Sequence, residues 1–248
     1  MSRESKNEEA TRVIINSANR TDLADLTSDF TYALDKQVSK VVAIEVVSVQ
    51  IPFSYYAING TNDQLSSFAG LATLIHGNYT SASFAAMVEA QLNLLAAGHT
   101  VTYSSVTGRI TVANAGNTRI IVSGVNDAAP LLGFTVSSAL AASVTGDSTA
   151  VFTGPNYLVI KSLALTRYNS TPAVTAADLA STTIFHTVPV NVNAGAIIID
   201  TPESNSSMSP LNFPDNFNEI DLQLEDDQGN QLDLNGANWS MQLLMHAR

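Results

Sequence analysis

Residues 38 to 53 read VSKVVAIEVVSVQIPF, and no other stretch of the chain restricts its fold so tightly. The run is long and β-branched. Apolar side chains fall on both of its faces, which suits a central strand covered on both sides in a sandwich. Pro52 has no N–H to give to a ladder, so pairing is expected to stop or bulge there. The polypeptide then reads FSYYAINGTNDQL, passing from aromatics into Asn, Gly, Thr and Asp. Phe53, Tyr55 and Tyr56 fit two roles at such a strand end. They form a sugar-stacking ledge, or they close the open end of a sandwich or meet a neighbouring subunit. Packing is the favoured role, and YYAINGTND then marks the exit into an inserted unit.

The rest of the chain organises around that strand. Residues 1 to 12 begin MSRESKNEEA, charged and without a large apolar residue beyond Met1, and are expected to form a flexible N-terminal arm. The same composition does not fit a secretory signal. TRVIINSANRT and DFTYALDK read as two strands ahead of the central one. Residues 62 to 147 change character and are expected to form a small α/β subdomain inserted into the sandwich of 13–61 and 148–248. Its helix is expected over about 81–97, with Phe84, Met87, Val88, Leu92 and Leu95 on one stripe. Thr80 or Ser81 caps its start, and Gly98 suits a left-handed C-terminal cap. TVTYSSVTGRITVAN reads as a β-hairpin, RIIVSG as a further strand and NDAAPLLGF as a short helical turn. Residues 136 to 154 are small and polar and read as a connector.

Strands resume with NYLVIKSLALTRY, TIFHTVPV and AIIIDTP. ESNSSMSPLNFPDNF reads as a long polar loop. In the closing segment Ile220, Leu222 and Leu224 alternate with polar residues, DDQGN makes a turn, and Trp239, Met241, Leu243 and Met245 alternate again. The expectation is strand, hairpin turn, strand. Trp239 is the largest apolar residue of that pair and a structural candidate beside the three aromatics above.

Charge narrows the function. Charged residues are 13% of the 248, against a usual ~25%. Eleven bases are scattered among 22 acids for a net charge of −11, which disfavours direct binding of nucleic acid or of an anionic membrane surface. No apolar run approaches the ~20 residues of a membrane-spanning helix. Cysteine is absent, so disulfides and thiolate metal sites are excluded. His76, His99, His186 and His246 do not pair at metal-binding spacing, and no phosphate loop, nucleophile elbow or dinucleotide fingerprint appears. The late acids Asp215, Glu219, Asp221, Glu225, Asp226, Asp227 and Asp233 read as a solvated strand face and turn, ahead of a calcium site or a glycosidase pair. No catalytic residue, metal ligand or cofactor is assigned.

Three segments resemble one family. SDFTYALDKQVSKVVAIEVVSVQIPFSYYAIN resembles the early jelly-roll strands of penton (vertex) and related minor capsid proteins from icosahedral double-stranded DNA viruses of the double-jelly-roll lineage. GNYTSASFAAMVEAQLN, VTYSSVTGRITV and LLGF resemble the insertion of such proteins. FNEIDLQLEDDQGNQLDLNGANWSMQLLM is similar to their closing hairpin. The resemblance implies an all-β fold, a single jelly-roll sandwich of two four-stranded sheets with the α/β subdomain inserted. It implies a structural virion protein that acts by assembly and not as an enzyme. Its partners would be itself, as a homopentamer, and the major capsid protein. The insertion would project as a rim, spike platform or host-facing knob for a vertex spike or receptor. No Arg-Gly-Asp loop is present, and the modest insertion leaves a non-vertex minor capsid role open. The alternative class is a β-sandwich carbohydrate-binding module or lectin, and after it a glycoside hydrolase.

Overall fold

The computed structural model describes residues 9–166, 183–203 and 208–248. The chain divides into two compact units, Met1–Tyr55 with Pro155–Arg248, and Tyr56–Gly154.

The first unit is built from β1 (Glu9–Asn16), β2 (Asp29–Pro52), β9 (Tyr157–Lys161), α2 (Leu163–Thr166), β10 (Ile184–Pro189), β11 (Ile197–Asp200), β12 (Met208–Glu225) and β13 (Ser240–Ala247). Its strands run in the order β1-β13-β2-β12-β9-β10, with β11 also paired to β2. The constraining run is the second half of β2 and is a central strand, with β13 paired along one edge and β12 along the other. Ala43, Ile44, Glu45 and Val46 are buried in succession. Pairing does not stop at Pro52, because β11 takes over: Ile197 lies opposite Pro52 and Ile198 opposite Ile51.

DFTYALDK is the first half of the same 24-residue strand, not a separate one. The two halves meet at Lys40, whose φ of 58° is a left-handed backbone in mid-strand. Its N–H donates to Asn216 Oδ1 at 2.9 Å and its carbonyl accepts from the Arg248 N–H at 3.2 Å, so the bulge keeps partners for both backbone groups. Opposite it, β12 shifts register between Pro210 and Glu219. The N-terminal end of β12 therefore pairs with Ala43–Glu45, and its C-terminal end with Asp29–Ala33. The family resemblance implied two four-stranded sheets. Among the described residues the ladder is instead continuous, and the bulged long strands carry one sheet over its own core to make the jelly-roll sandwich. Ile15, Ile44, Val49, Ile51, Phe217, Leu224 and Leu243 are part of that core.

Four further expectations change. Glu9–Arg12, assigned to the arm, pair with Leu244–Ala247 of β13, because β1 gains a partner only at the chain's far end. The rest of the expected arm lies outside the described residues. The expected polar loop is strand from Met208 onward, since Pro210 and Pro214 fall where the register shifts and no regular ladder N–H is demanded of them; residues 204–207 lie outside the described residues. NYLVIKSLALTRY turns into the short α2 after Lys161, and residues 167–182 lie outside the description. Finally, β12 and β13 are not hairpin partners, because β2 lies between them. The DDQGN turn itself forms: Asp226 Oδ1 accepts from the N–H groups of Gln228 and Asn230, and Gly229 takes φ 84°.

The second unit contains β3 (Gln64–Ser67), β4 (Gly70–Thr73), α1 (Ser81–Leu95), β5 (His99–Ser104), β6 (Arg109–Thr118), β7 (Ile120–Ile121) and β8 (Ala141–Thr145). It holds two three-stranded sheets, β4-β3-β7 and β5-β6-β8, and a core of its own around Phe84, Val88, Leu92, Ile110 and Phe134. Its limits are wider than the expected 62–147. Ile58 bridges Gly77 at one end, and Phe152 stacks on Phe84 at 4.6 Å at the other. Thr80 caps α1 in a reciprocal capping box with Ser83, and Gly98 takes φ 91°. Leu95, expected on the buried stripe, is the last residue of the helix and is 37% exposed. The expected connector also contains a strand. Ala141–Thr145 pairs with β6, and the chain then passes so close to itself that a Cβ on Gly146 would lie 2.8 Å from the Leu132 and Gly133 carbonyl oxygens. Small residues there permit close packing.

Candidate functional site

The aromatic stretch after Pro52 is tied into the first unit residue by residue. Phe53 exchanges backbone hydrogen bonds with the 195–196 segment, donating to the Ala196 carbonyl at 2.9 Å and accepting from the Gly195 N–H at 2.9 Å. Ser54 Oγ donates to the Leu234 carbonyl at 2.7 Å, and Asn235 Nδ2 donates to the Ser54 carbonyl at 2.6 Å. Phe53 and Tyr55 stack with centroids 4.3 Å apart and an 18° interplanar angle. Both are buried, and burial pushes the Tyr55 hydroxyl well above its ordinary pKa, with the Asp227 charge adding to it. A sugar ledge needs exposed ring faces, and of the three aromatics only Tyr56, 42% exposed, offers one. The structure stacks Phe53 on Tyr55, and the division between the units falls between Tyr55 and Tyr56.

Trp239 sits just ahead of β13 and is 2% exposed. Its Nε1–H donates to the Thr27 carbonyl at 2.7 Å, and its ring meets Phe30 edge-on at 6.0 Å. Its backbone is held from both sides by Ser17, whose N–H donates to the Trp239 carbonyl and whose Oγ accepts from the Trp239 N–H, each at 3.0 Å. The indole therefore joins the start of β2 to the start of β13.

The acidic cluster is not a solvated face throughout. Asp221 accepts from the N–H groups of Leu163 and Ala164 at 2.7 Å each and from Ser162 Oγ at 3.3 Å, capping α2 from the neighbouring strand. Glu225 is buried and pairs with Lys161 at 2.5 Å. Asp227 accepts from the Asn156 N–H, and Asp233 from the Asn235 N–H. These carboxylates order backbone. Partial burial raises the nearby Asp29 carboxyl, and the like charges of Asp25, Asp221 and Glu225 raise it further.

Sequence reasoning missed the Lys161–Glu225 pair. Its signal was present: Lys161 is the one base between Arg119 and Arg167, set inside the apolar YLVIKSLAL. The histidines are also placed by partners. His76 meets Asp63 at 2.9 Å, His186 meets Asp200 at 2.6 Å, and His99 Nδ1 lies 2.8 Å from the Ala96 carbonyl. Burial pushes the Asp63 carboxyl up, but hydrogen bonds from His76 and Gln64 outweigh it and hold it below its ordinary value. No group of three or more His, Asp or Glu side chains poised to hold a metal ion occurs among the described residues.

The first unit also carries two surface clefts. One, of about 730 Å³, runs along β9 and β10 beside the DDQGN turn, with Tyr157, Val159, Ile184 and Pro189 among its walls and the Lys161–Glu225 pair in its lining. The other, of about 760 Å³, lies between β1 and residues 32–39 of β2. In the strand order of the described residues, β1 and β10 are the outermost strands, so each leaves one side of its backbone unpaired within that sheet. The first cleft has largely apolar walls, whereas the second is lined mostly by polar and charged side chains, Glu9, Arg12, Asp35 and Lys36 among them. No helix among the described residues is long and apolar enough to cross a membrane.

No protein-family model matches the chain, and no curated protein matches it. Among solved structures it is similar to the crystal structure of the mavirus penton protein, with a TM-score of 0.53 and 14% identity over 98% of this chain and 100% of that one. The chain has the fold of that penton protein. A chain of the Sputnik virophage structure solved by cryo-EM is also similar, with a TM-score of 0.44 and 11% identity over 96% of this chain and 98% of that one. The fold likeness to the mavirus penton protein takes in the sandwich and the inserted unit together. The architecture expected from the sequence, an all-β jelly roll carrying a small α/β insertion, is therefore the one observed.

Proposed function

We propose that this chain is a structural virion protein, a penton-like subunit that closes the vertices of an icosahedral capsid. One observation carries the reading: the correspondence with a penton protein runs end to end, over 98% of this chain and 100% of the other. A penton-like subunit acts through surfaces. It associates with copies of itself, as a homopentamer, and with the surrounding major capsid protein, and the inserted unit is free to take a vertex spike or a host receptor. Nucleic acid is not a direct partner of a chain with net charge −11. Nothing in this role requires a reaction or a cofactor. The carbohydrate-binding reading loses support because Phe53 and Tyr55 spend their ring faces on each other inside the core.

Electron microscopy of particles carrying an epitope-tagged copy tests the proposal. Label is expected at the five-fold vertices. Label spread over the facets places the chain among the minor capsid proteins, and particles without the chain overturn the capsid reading. A glycan array with the purified protein is expected to be blank.

A further inference from the structure

The first unit has two unlike sides. Asp29–Ala33 of β2 pair with β12, β12 pairs with β9, and β9 with β10. The β2 end and the β10 end of this row are three strand spacings apart, about 14 Å. The cleft between β1 and residues 32–39 of β2 lies at the first end, and the cleft along β9 and β10 at the second. β1 and β10 are also the outermost strands among the described residues, so each of these sides carries a strand edge open to another chain.

The two sides differ in charge. The β1 side is lined by Arg12 and Lys36 beside Glu9 and Asp35. Arg12 and Lys36 are both exposed, and neither belongs to an ion pair among the described residues. The β10 side is lined by Lys161 beside Glu225, Asp226 and Asp227. Its one base is spent on Glu225. Asp226 and Asp227 accept only from backbone N–H groups and asparagine amides, so no cation offsets either charge. Tyr157 and Ile184 stand in the same cleft, 43% and 42% exposed. One side thus holds free cations and the other uncompensated carboxylates.

We propose that the β1 side of one copy docks against the β10 side of the next, bringing Arg12 and Lys36 to Asp226 and Asp227. The inference rests on the self-association put forward above and names the two surfaces that meet. Charge selects the occupant. A surface that meets its own copy sets like charge against like, and for chains of net charge −11 most encounters set acid against acid. These two sides are different and complementary, and one chain carries both. Complementary charge steers the encounter and fixes its register. The contact is head-to-tail: each copy uses one side of each kind, so the same contact repeats by rotation and closes a ring with no side left uncovered.

Sedimentation velocity of the full chain at micromolar concentration tests the inference. The parent is expected to form a closed oligomer. Arg12→Glu with Lys36→Glu spoils one side. Tyr157→Lys with Ile184→Lys spoils the other, by placing cations where Arg12 and Lys36 of the next copy arrive. Each double variant alone is expected to associate more weakly by roughly tenfold or more and to run near the monomer mass of 26.2 kDa. Mixed in equal amounts, the two are expected to give a dimer and nothing larger, because one keeps an intact β10 side and the other an intact β1 side. That dimer also separates a lost contact from a lost fold. If either variant melts below the parent, Arg12→Gln with Lys36→Gln, or Tyr157→Ser with Ile184→Ser, replaces it and is read in the same way. A variant that assembles like the parent, or a mixture of folded variants that stays monomeric, overturns this inference and leaves the self-association reading standing. A parent that is monomeric at every concentration overturns both.

Discussion

At the scale of the residue, Trp239 concentrates the most structure in one side chain. It fills the core, meets Phe30 edge-on and satisfies the Thr27 carbonyl, while its own backbone is gripped by Ser17. Truncating a buried Trp costs roughly 3–5 kcal/mol, a large part of the ~5–15 kcal/mol that holds a domain together. Trp239→Ala is therefore expected to lower stability by that amount in chemical denaturation monitored by far-UV circular dichroism. Trp239→Phe keeps most of the apolar contact and loses the Nε1–H donor, so its cost is expected to be smaller, about 1–3 kcal/mol. Equal losses in both variants would mean that the hydrogen bond to Thr27, and not the packing, is what the indole supplies.

At the scale of the element, the bulge at Lys40 and the cap at Asp221 show how strand and helix depend on chain far away. Lys40 needs Asn216 and Arg248 to satisfy its backbone, so the bend in β2 exists only once β12 and the C-terminal end are in place. The four-residue α2 depends likewise on an acid from β12. A helix this short has almost no stability of its own, and Asp221 supplies acceptors for two of its first N–H groups. Asp221→Ala is expected to cost about 1–2 kcal/mol, the range of a lost N-cap. Asp233→Ala, which removes one exposed turn hydrogen bond, is expected to cost about 0.5 kcal/mol or less. Urea titrations of the two variants side by side check this, and comparable midpoints would refute the capping role.

At the scale of the whole molecule, two separate apolar cores lie in two stretches of chain that enter and leave near Tyr55 and Pro155. A sandwich with its own core does not need the excursion. Replacing Tyr56–Gly154 by a short Gly-Ser linker is expected to leave a folded β protein with a cooperative melt, since loop-closure entropy changes by only about 0.6 kcal/mol per doubling of length. A deletion that yields an unfolded chain, by far-UV circular dichroism and thermal melting, would show that the inserted unit is required for the sandwich.

Much of this was present in the sequence because it acts over a few residues. The two-faced apolar run determined a central strand, Thr80 and Gly98 bounded the helix, Gly229 set a turn, and the alternation at Ile220–Leu224 set a buried face. Each of these is settled by backbone sterics or side-chain period within the segment itself. Which strand pairs with which is a different kind of question. Ile220–Leu224 and Trp239–Met245 read as a hairpin because they are neighbours with matching patterns, yet β2 intervenes as the ladder partner of both, and all three strands turn their apolar side chains into one core. The acids of β12 looked solvated for the same reason. A polar residue on a strand faces water unless another element arrives, and only the tertiary structure brings Lys161 to Glu225 and α2 to Asp221. Local rules carried the elements; partner choice, and with it the burial of every polar side chain, was decided by how the whole chain shares its two cores.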